Sequence, residues 1–69
     1  MFGHWRTLLR RRVIVNLTNG TAIHGVLYRQ SGPLLILKNA QYLEKGVEPT
    51  TLDGDTVVER TNVIFIQAI

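Results

Sequence analysis

A glycine inside an alternating apolar and polar run constrains the fold of this chain more than any other feature. The run is VNLTNGTAIHGVLYRQSGPLLILKN, residues 15–39, and its period of two is typical of β-strands. Asn19 and Gly20 supply the positive φ angles that a tight hairpin turn needs. Gly25 instead occupies a position that points toward the predicted core. A glycine there predicts a sharp bend, or the close approach of a second backbone, as at the corner of a small barrel.

Periodicity divides the chain into one short helix and five strands. Apolar residues at helical spacing predict an amphipathic helix over residues 2–10. Alternation predicts strands over residues 13–18, 21–30, 34–43, 57–60 and 63–68. Residues 46–55, which hold two glycines and a proline, are predicted to form a loop or a hairpin tip. The expected fold is mainly β, in one domain that spans residues 1–69.

The small size of the chain predicts self-association. A lone domain of 69 residues buries only about 60% of its unfolded surface, which leaves its stability marginal. There is no cysteine, and His4 and His24 lie too far apart for a local metal motif, so neither disulfides nor a metal are expected. Residues 34–37, LLIL, are apolar on both faces of their strand, which predicts two-sided burial. A neighbouring subunit or the helix is the simplest cover for the second face.

Positive charge is concentrated at the start of the chain. The net charge is +3, but the first twelve residues alone contribute +4, through Arg6, Arg10, Arg11 and Arg12. Attraction to a polyanion must therefore come mainly from the N-terminal end. A solvated helix end is the competing explanation, because arginine also favours the C-terminal turn of a helix.

The order of a helix and five strands, with a glycine-bent second strand, resembles the Sm-like family, which includes the Lsm proteins and bacterial Hfq. Residues 13–39 resemble the first signature of that family, and VERTNVIFI, residues 58–66, resembles the second. ILKN, residues 36–39, is similar to Hfq. The resemblance implies a short N-terminal helix followed by a five-stranded, strongly bent antiparallel Sm-like (SH3-like) barrel. It also implies a homo-oligomeric ring of five to seven subunits that binds RNA.

The sequence departs from the family where base recognition would lie. Many Lsm proteins have an aspartate after strand two and an asparagine early in strand three, which help to shape a uridine pocket. Ser31 and Leu35 stand at those positions. Glu59 and Arg60 replace the usual Arg-Gly pair of the second signature, and the Tyr-Lys-His element of Hfq is absent. We therefore expect fold and ring assembly to be retained better than base recognition.

Candidate nucleic-acid-binding residues come from charge and from the resemblance. By resemblance, Asn39 and Asn62 lie at the inner rim of the ring, and His24 matches a position on the second RNA surface of Hfq. Turn chemistry is the competing explanation for the two asparagines, and an idle strand position for the histidine. The predicted set is Arg6, Arg10, Arg11, Arg12, His24, Asn39, Arg60 and Asn62.

Three other residue groups have simple structural explanations beside functional ones. Tyr28 and Tyr42 offer rings for base stacking, but tyrosine is also favoured in strands. Asp53, Gly54 and Asp55 resemble part of a calcium loop, but a hairpin turn explains them better because the other ligands are missing. No catalytic triad, paired carboxylates in a cleft or phosphate-binding glycine loop is visible, so we expect neither an enzyme nor a cofactor.

Two functions remain open at this point. The first is a non-catalytic ring that binds RNA or single-stranded nucleic acid through a basic N-terminal face. The second is a structural ring, for example an assembly component of a viral particle or of a larger complex, without nucleic-acid binding. A monomeric SH3-like or ribosomal-type barrel is disfavoured by the two-sided apolar third strand. No apolar stretch approaches the roughly 20 residues of a membrane span, and no secretory signal is visible, so we expect a cytoplasmic protein without a membrane partner.

Overall fold

The computed structural model describes residues 9–69, which form six strands and a short 3-10 turn. The strands are β1 (Arg12–Leu17), β2 (Ala22–Ser31), β3 (Leu34–Glu44), β4 (Val47–Leu52), β5 (Thr56–Glu59) and β6 (Val63–Ala68). The 3-10 turn, Arg60–Asn62, joins β5 to β6. All strand pairs are antiparallel. Within these residues no helix is long and apolar enough to cross a bilayer. The predicted mainly β architecture is confirmed.

One bent sheet contains all six strands, in the order β4-β3-β2-β1-β6, with β5 also paired to β3. β4 pairs with residues 40–44 of β3, whereas β5 pairs with residues 34–37. The two short strands therefore follow each other along one side of β3 and take the place of a single fourth strand. Residues 53–55 interrupt that strand, with Gly54 at a φ of 73°. The outer edges of β5 and β6 remain unpaired in the single chain, and we call them the open edges.

The prediction of a loop or a hairpin tip over residues 46–55 is wrong for most of its length. The chain turns at Lys45 and Gly46, where Gly46 has a φ of 80°, and then forms β4. All residues of β4 but Leu52 are exposed, so the strand has no apolar alternation to reveal it. It forms because its backbone pairs with β3. Asp53 and Gly54, predicted as a hairpin turn, instead separate β4 from β5.

The predicted N-terminal helix lies mostly outside the described residues. Residues 2–8, which include Arg6, are not described. Leu9 and Arg10 form a turn, and Arg10 has a φ of 65°, which no right-handed helix contains. The prediction that the helix reaches residue 10 is therefore wrong. Leu9 packs against the core from this turn.

The core lies on the inner face of the bent sheet. Its fully buried large side chains come from the first three strands: Val13, Val15, Leu27, Leu35 and Leu37. Leu34 and Ile36, which alternate with Leu35 and Leu37 along β3, are only half-buried. The predicted two-sided burial of β3 is therefore incomplete within one chain.

Gly25 lets β2 and β3 approach closely at the bend. The pairing of these strands shifts between His24 and Val26, so that two residues of β3, Asn39 and Ala40, lie opposite Gly25. A Cβ atom on Gly25 would stand 3.1 Å from both the Cα and the Cβ of Ala40. That is tighter than ordinary van der Waals contact. The predicted close approach of a second backbone is confirmed.

Candidate nucleic-acid interface

Three consecutive arginines lead into β1 on the surface of the protein. Arg10, Arg11 and Arg12 are all exposed. The backbone N–H of Arg10 donates to the carbonyl of Leu27 over 2.5 Å, and the N–H of Leu27 donates to the carbonyl of Arg11 over 3.0 Å. These bonds extend the β1–β2 ladder to residues before Arg12, where β1 begins. The arginine side chains therefore project from a backbone that is tied to the sheet.

A shallow pocket of ≈360 Å³ lies on the outer face of the sheet, opposite the core. The strand register explains its polar floor, because His24 pairs with Gln41 and Gln41 pairs with Thr51. These three side chains form a row across β2, β3 and β4. The pocket is lined by Arg12, His24, Asn39, Ala40, Gln41, Thr51, Leu52, Asp53 and Gly54. The structure thus brings three of the predicted site residues together: Arg12, His24 and Asn39.

Asn39 reaches the pocket because of the bulge opposite Gly25. Its φ is 52°, in the left-handed region that asparagine tolerates better than most residues. Backbone conformation is therefore sufficient to explain an asparagine at this position. Asn39 also lines the pocket and is exposed. The conformational explanation for this asparagine is therefore compatible with a role in ligand binding.

His24, which lines the pocket, has an unsatisfied polar atom. Its Nε2 atom is buried and has no hydrogen-bond partner among the described residues. Buried polar atoms nearly always have a partner, because leaving one unpaired costs about 1–3 kcal/mol. An imidazole nitrogen donates or accepts according to its protonation.

A second group of predicted residues lies apart from the pocket, around the 3-10 turn. The backbone N–H of Arg60 donates to the carbonyl of Pro33 over 2.7 Å, and the Asn62 carbonyl accepts a bond from the N–H of Thr18. The turn therefore sits beside the β2–β3 loop, where the resemblance places the uridine pocket. Leu35 is fully buried there and Ser31 is exposed. The two positions cannot reproduce the acid and the amide that the family uses.

Both tyrosines are engaged in ways that sequence did not reveal. The Cζ atom of Arg10 lies 5.2 Å from the centroid of the Tyr28 ring, and the Nζ atom of Lys38 lies 4.1 Å from it. Both distances are within cation–π range. Tyr42 packs against the core. Lys38, Gln41 and Thr51 were not predicted as site residues, because their approach depends on two register shifts in β2–β3 and on the unpredicted strand β4.

Solved structures of archaeal Sm proteins match nearly the whole chain. The P. aerophilum SmAP1 heptamer shares 26% identity at a TM-score of 0.81, over 93% of this chain and 85% of that one. A heptameric archaeal Sm protein also shares 26% identity, at a TM-score of 0.80 over 93% of each chain. The Pyrococcus abyssii Sm protein, solved with a uridine heptamer, shares 23% at a TM-score of 0.81, over 93% of this chain and 90% of that one.

No protein-family model and no curated protein sequence matches the chain. The assignment therefore rests on the fold, which agrees with the two signatures seen at residues 13–39 and 58–66. The bent sheet, the glycine at its corner and the match to archaeal Sm structures lead to one conclusion: this chain has an Sm-like fold.

Proposed function

We propose that this protein forms a homo-oligomeric ring that binds single-stranded nucleic acid, with RNA as the first candidate. The observation that carries the ring is the position of the large exposed apolar side chains. Four of the five are on a strand at an open edge or directly after one: Val57, Ile64, Phe65 and Ile69, which are 53–61% exposed; the fifth, Val47, begins β4. Unpaired edges with apolar side chains are prone to pair with another chain. A second copy of this chain offers the matching edge.

Ring closure follows from the difference between the two edges. β5 and β6 are different surfaces, so a contact from the β5 edge of one subunit to the β6 edge of the next is head-to-tail. Such contacts repeat until they close into a ring, or continue as a filament if the rotation does not close. We propose five to seven subunits. Two of the structural neighbours are heptamers, which favours the upper end of this range.

The arginines support binding to phosphates rather than to specific bases. Among residues 9–69 Lys38 pairs with Asp55, whereas no carboxylate forms an ion pair with Arg10, Arg11 or Arg12. Ring symmetry would repeat this charge in every subunit, so that a long strand touching several subunits gains avidity. The family's uridine-pocket positions lack their usual side chains. Sequence-independent phosphate contact is the mode that the remaining residues favour.

Binding and assembly are tested with the same wild-type protein. Light scattering at micromolar concentration should give a mass of five to seven subunits. Fluorescence anisotropy with labelled oligo-U, oligo-A and mixed-sequence RNA at two salt concentrations should give similar affinities that fall steeply with salt. A monomer would contradict the proposed ring. A ring that binds no oligonucleotide at low salt would instead favour the structural role without nucleic acid.

The arginine segment is tested by changing Arg10, Arg11 and Arg12 together to glutamine. Binding should be lost while the ring mass is unchanged, because these side chains are exposed and their backbone bonds do not depend on charge. The matched control is Asn62→Ala, which should bind almost as wild type does. If Asn62→Ala removes binding and the triple change does not, recognition occurs at the inner rim.

A further inference from the structure

We infer that Arg10, Tyr28 and Lys38 form a phosphate-binding cluster on the outer face, in which Asp55 competes with the nucleic-acid phosphate for Lys38. The inference rests on the proposed nucleic-acid binding and adds residues from two further strands to it. We call these three residues the cation–tyrosine cluster. Its ligand is a phosphodiester group of a single strand.

The Tyr28 ring holds the two cations close together. The Arg10 and Lys38 charges lie 5.2 and 4.1 Å from the same ring centroid. They are therefore within about 10 Å of each other, on the order of one Debye length at 0.1 M salt. Salt screens their fields only in part at this distance, so the potentials of the two charges add. An anion near both of them relieves their mutual repulsion.

Backbone contacts fix the main chain at both cations before any ligand binds. Arg10 adopts a left-handed φ of 65° and is held there by its hydrogen bond to the Leu27 carbonyl, next to Tyr28 in the chain. Lys38 lies on β3 opposite Val26 of β2, beside the bulge that Gly25 permits. Side chains that are already placed lose less conformational freedom when they bind.

The geometry favours a phosphate over a stacked base. Two cations already occupy positions against the Tyr28 ring, which leaves less of its face for a base. A guanidinium or ammonium group against a ring still has N–H donors that point away from it, and these donors suit phosphate oxygens. The cluster also adjoins the pocket, since Arg12, Val26 and Lys38 follow one another across three strands. A strand bound along this face would pass both sites.

Asp55 competes with a ligand for one cation of the cluster, Lys38. Its Oδ1 atom lies 4.0 Å from the Lys38 Nζ atom, at the limit of an ion pair, and the two side chains are 56% and 43% exposed. A weak, exposed pair is easily exchanged for a stronger contact. We therefore expect the phosphodiester to replace Asp55 at Lys38. Removal of the carboxylate should strengthen binding.

The sharpest test is a gain in affinity, which misfolding cannot produce. Asp55→Asn should raise the affinity for oligo-U on the order of 3-fold at low salt, because one competing charge is lost. Glu48→Gln removes the same charge from an exposed position of β4 that lines neither the pocket nor the cluster, and it is the matched control; it should raise affinity less. An equal gain in both variants would mean that only net charge matters, and this would overturn the role of Asp55.

Loss of the cluster is tested with two further pairs of variants. Lys38→Gln should weaken binding on the order of 3- to 10-fold and lower the salt dependence by about one unit of slope, whereas Lys45→Gln in the β3–β4 turn should not. Tyr28→Leu should reduce affinity while Tyr28→Phe keeps it, because the face of a phenylalanine ring still attracts cations. Ring mass, measured for each variant, separates a binding defect from an assembly defect.

A base-free probe decides between phosphate and base. Lys38→Gln should lower the affinity for an abasic oligodeoxynucleotide of the same length by the same factor as it lowers the affinity for oligo-U. If the loss appears only with bases present, the cluster reads a base and the inference is wrong. If wild type binds oligo-U but Lys38→Gln and Tyr28→Leu match their controls, the cluster fails and the proposed function stands. If wild type binds no probe at all, both are overturned.

Discussion

The open edges and the outer face of this sheet expose opposite kinds of side chain. Val57, Ile64 and Phe65 at the edges are more than half exposed, although burial would favour them. The outer face between those edges presents Arg12, Gln41 and other polar groups around a pocket. One sheet thus separates a surface suited to a protein partner from a surface suited to a polar ligand. Substitutions on the outer face should leave assembly intact, unless they affect the bend, whereas substitutions at the open edges should affect binding only through loss of the ring.

The largest effect should come from the bend itself, through Gly25→Val. The new side chain would meet the Ala40 backbone, where even a Cβ stands at 3.1 Å. We expect a loss of about 3 kcal/mol in the free energy of unfolding, at the upper end of overpacking costs. Thermal melting at fixed protein concentration should show a Tm at least about 10 °C lower. Thr50→Val, at an exposed position of β4, is the control and should melt near the wild-type temperature. A wild-type Tm for Gly25→Val would refute the close-approach explanation.

The next largest effect should be dissociation of the ring by a charge placed on β5. A charge placed on β4, which lies along the same side of β3, should not dissociate it. Val57→Lys on β5 places a charge in the proposed subunit contact and should give monomers by light scattering. Val47→Lys is a well-matched control, since Val47 is 56% exposed and Val57 is 54% exposed. β4 is less able to pair because Pro49 has no N–H to donate. Equal dissociation by both variants would show that β4 and β5 act as one edge.

A matching change on the other edge should produce the same monomer. Phe65→Lys on β6 is expected to prevent ring closure while circular dichroism stays β-type, because Phe65 is 53% exposed in the single chain. Affinity for a long oligonucleotide should fall more than affinity for a short one, since avidity is lost with the ring. A retained ring would show that β6 is not part of the subunit contact.

The smallest effect should come from Asn39, which both adopts a left-handed conformation and lines the pocket. Asn39→Ala is expected to cost about 1 kcal/mol, because alanine resists the left-handed region, whereas Asn39→Gly should be nearly neutral. Denaturant unfolding measures both. Neither change should reduce oligonucleotide affinity much if phosphates carry binding. A strong loss in both variants would move recognition into the pocket.

Sequence predicted the strands in which apolar and polar residues alternate. The strands that supply the buried side chains of the core, such as Val13, Leu27 and Leu35, were all found. β4 was missed because none of its first five residues is buried, so only pairing with β3 defines it. Gly25 was assigned correctly because a missing side chain at a core position has few explanations.

The candidate site was predicted less completely than the fold. Sequence named Arg12, His24 and Asn39 but not their convergence, which depends on the bulge and on the register of β3 with β4. The approach of Lys38 to Tyr28 is equally invisible, because the register shifts beside Val26 and again after Leu27. A contact that depends on a shifted register cannot be read from spacing alone.

The open edges also tie the stability of this protein to its abundance. If the native protein is a ring, unfolding one chain first requires separating it from two neighbours, and mass action opposes that step more strongly as concentration rises. The melting temperature should then climb with protein concentration. A diluted sample would expose Val57 and Phe65 to solvent. Dilution, like heat, is therefore a way to unfold this small sheet.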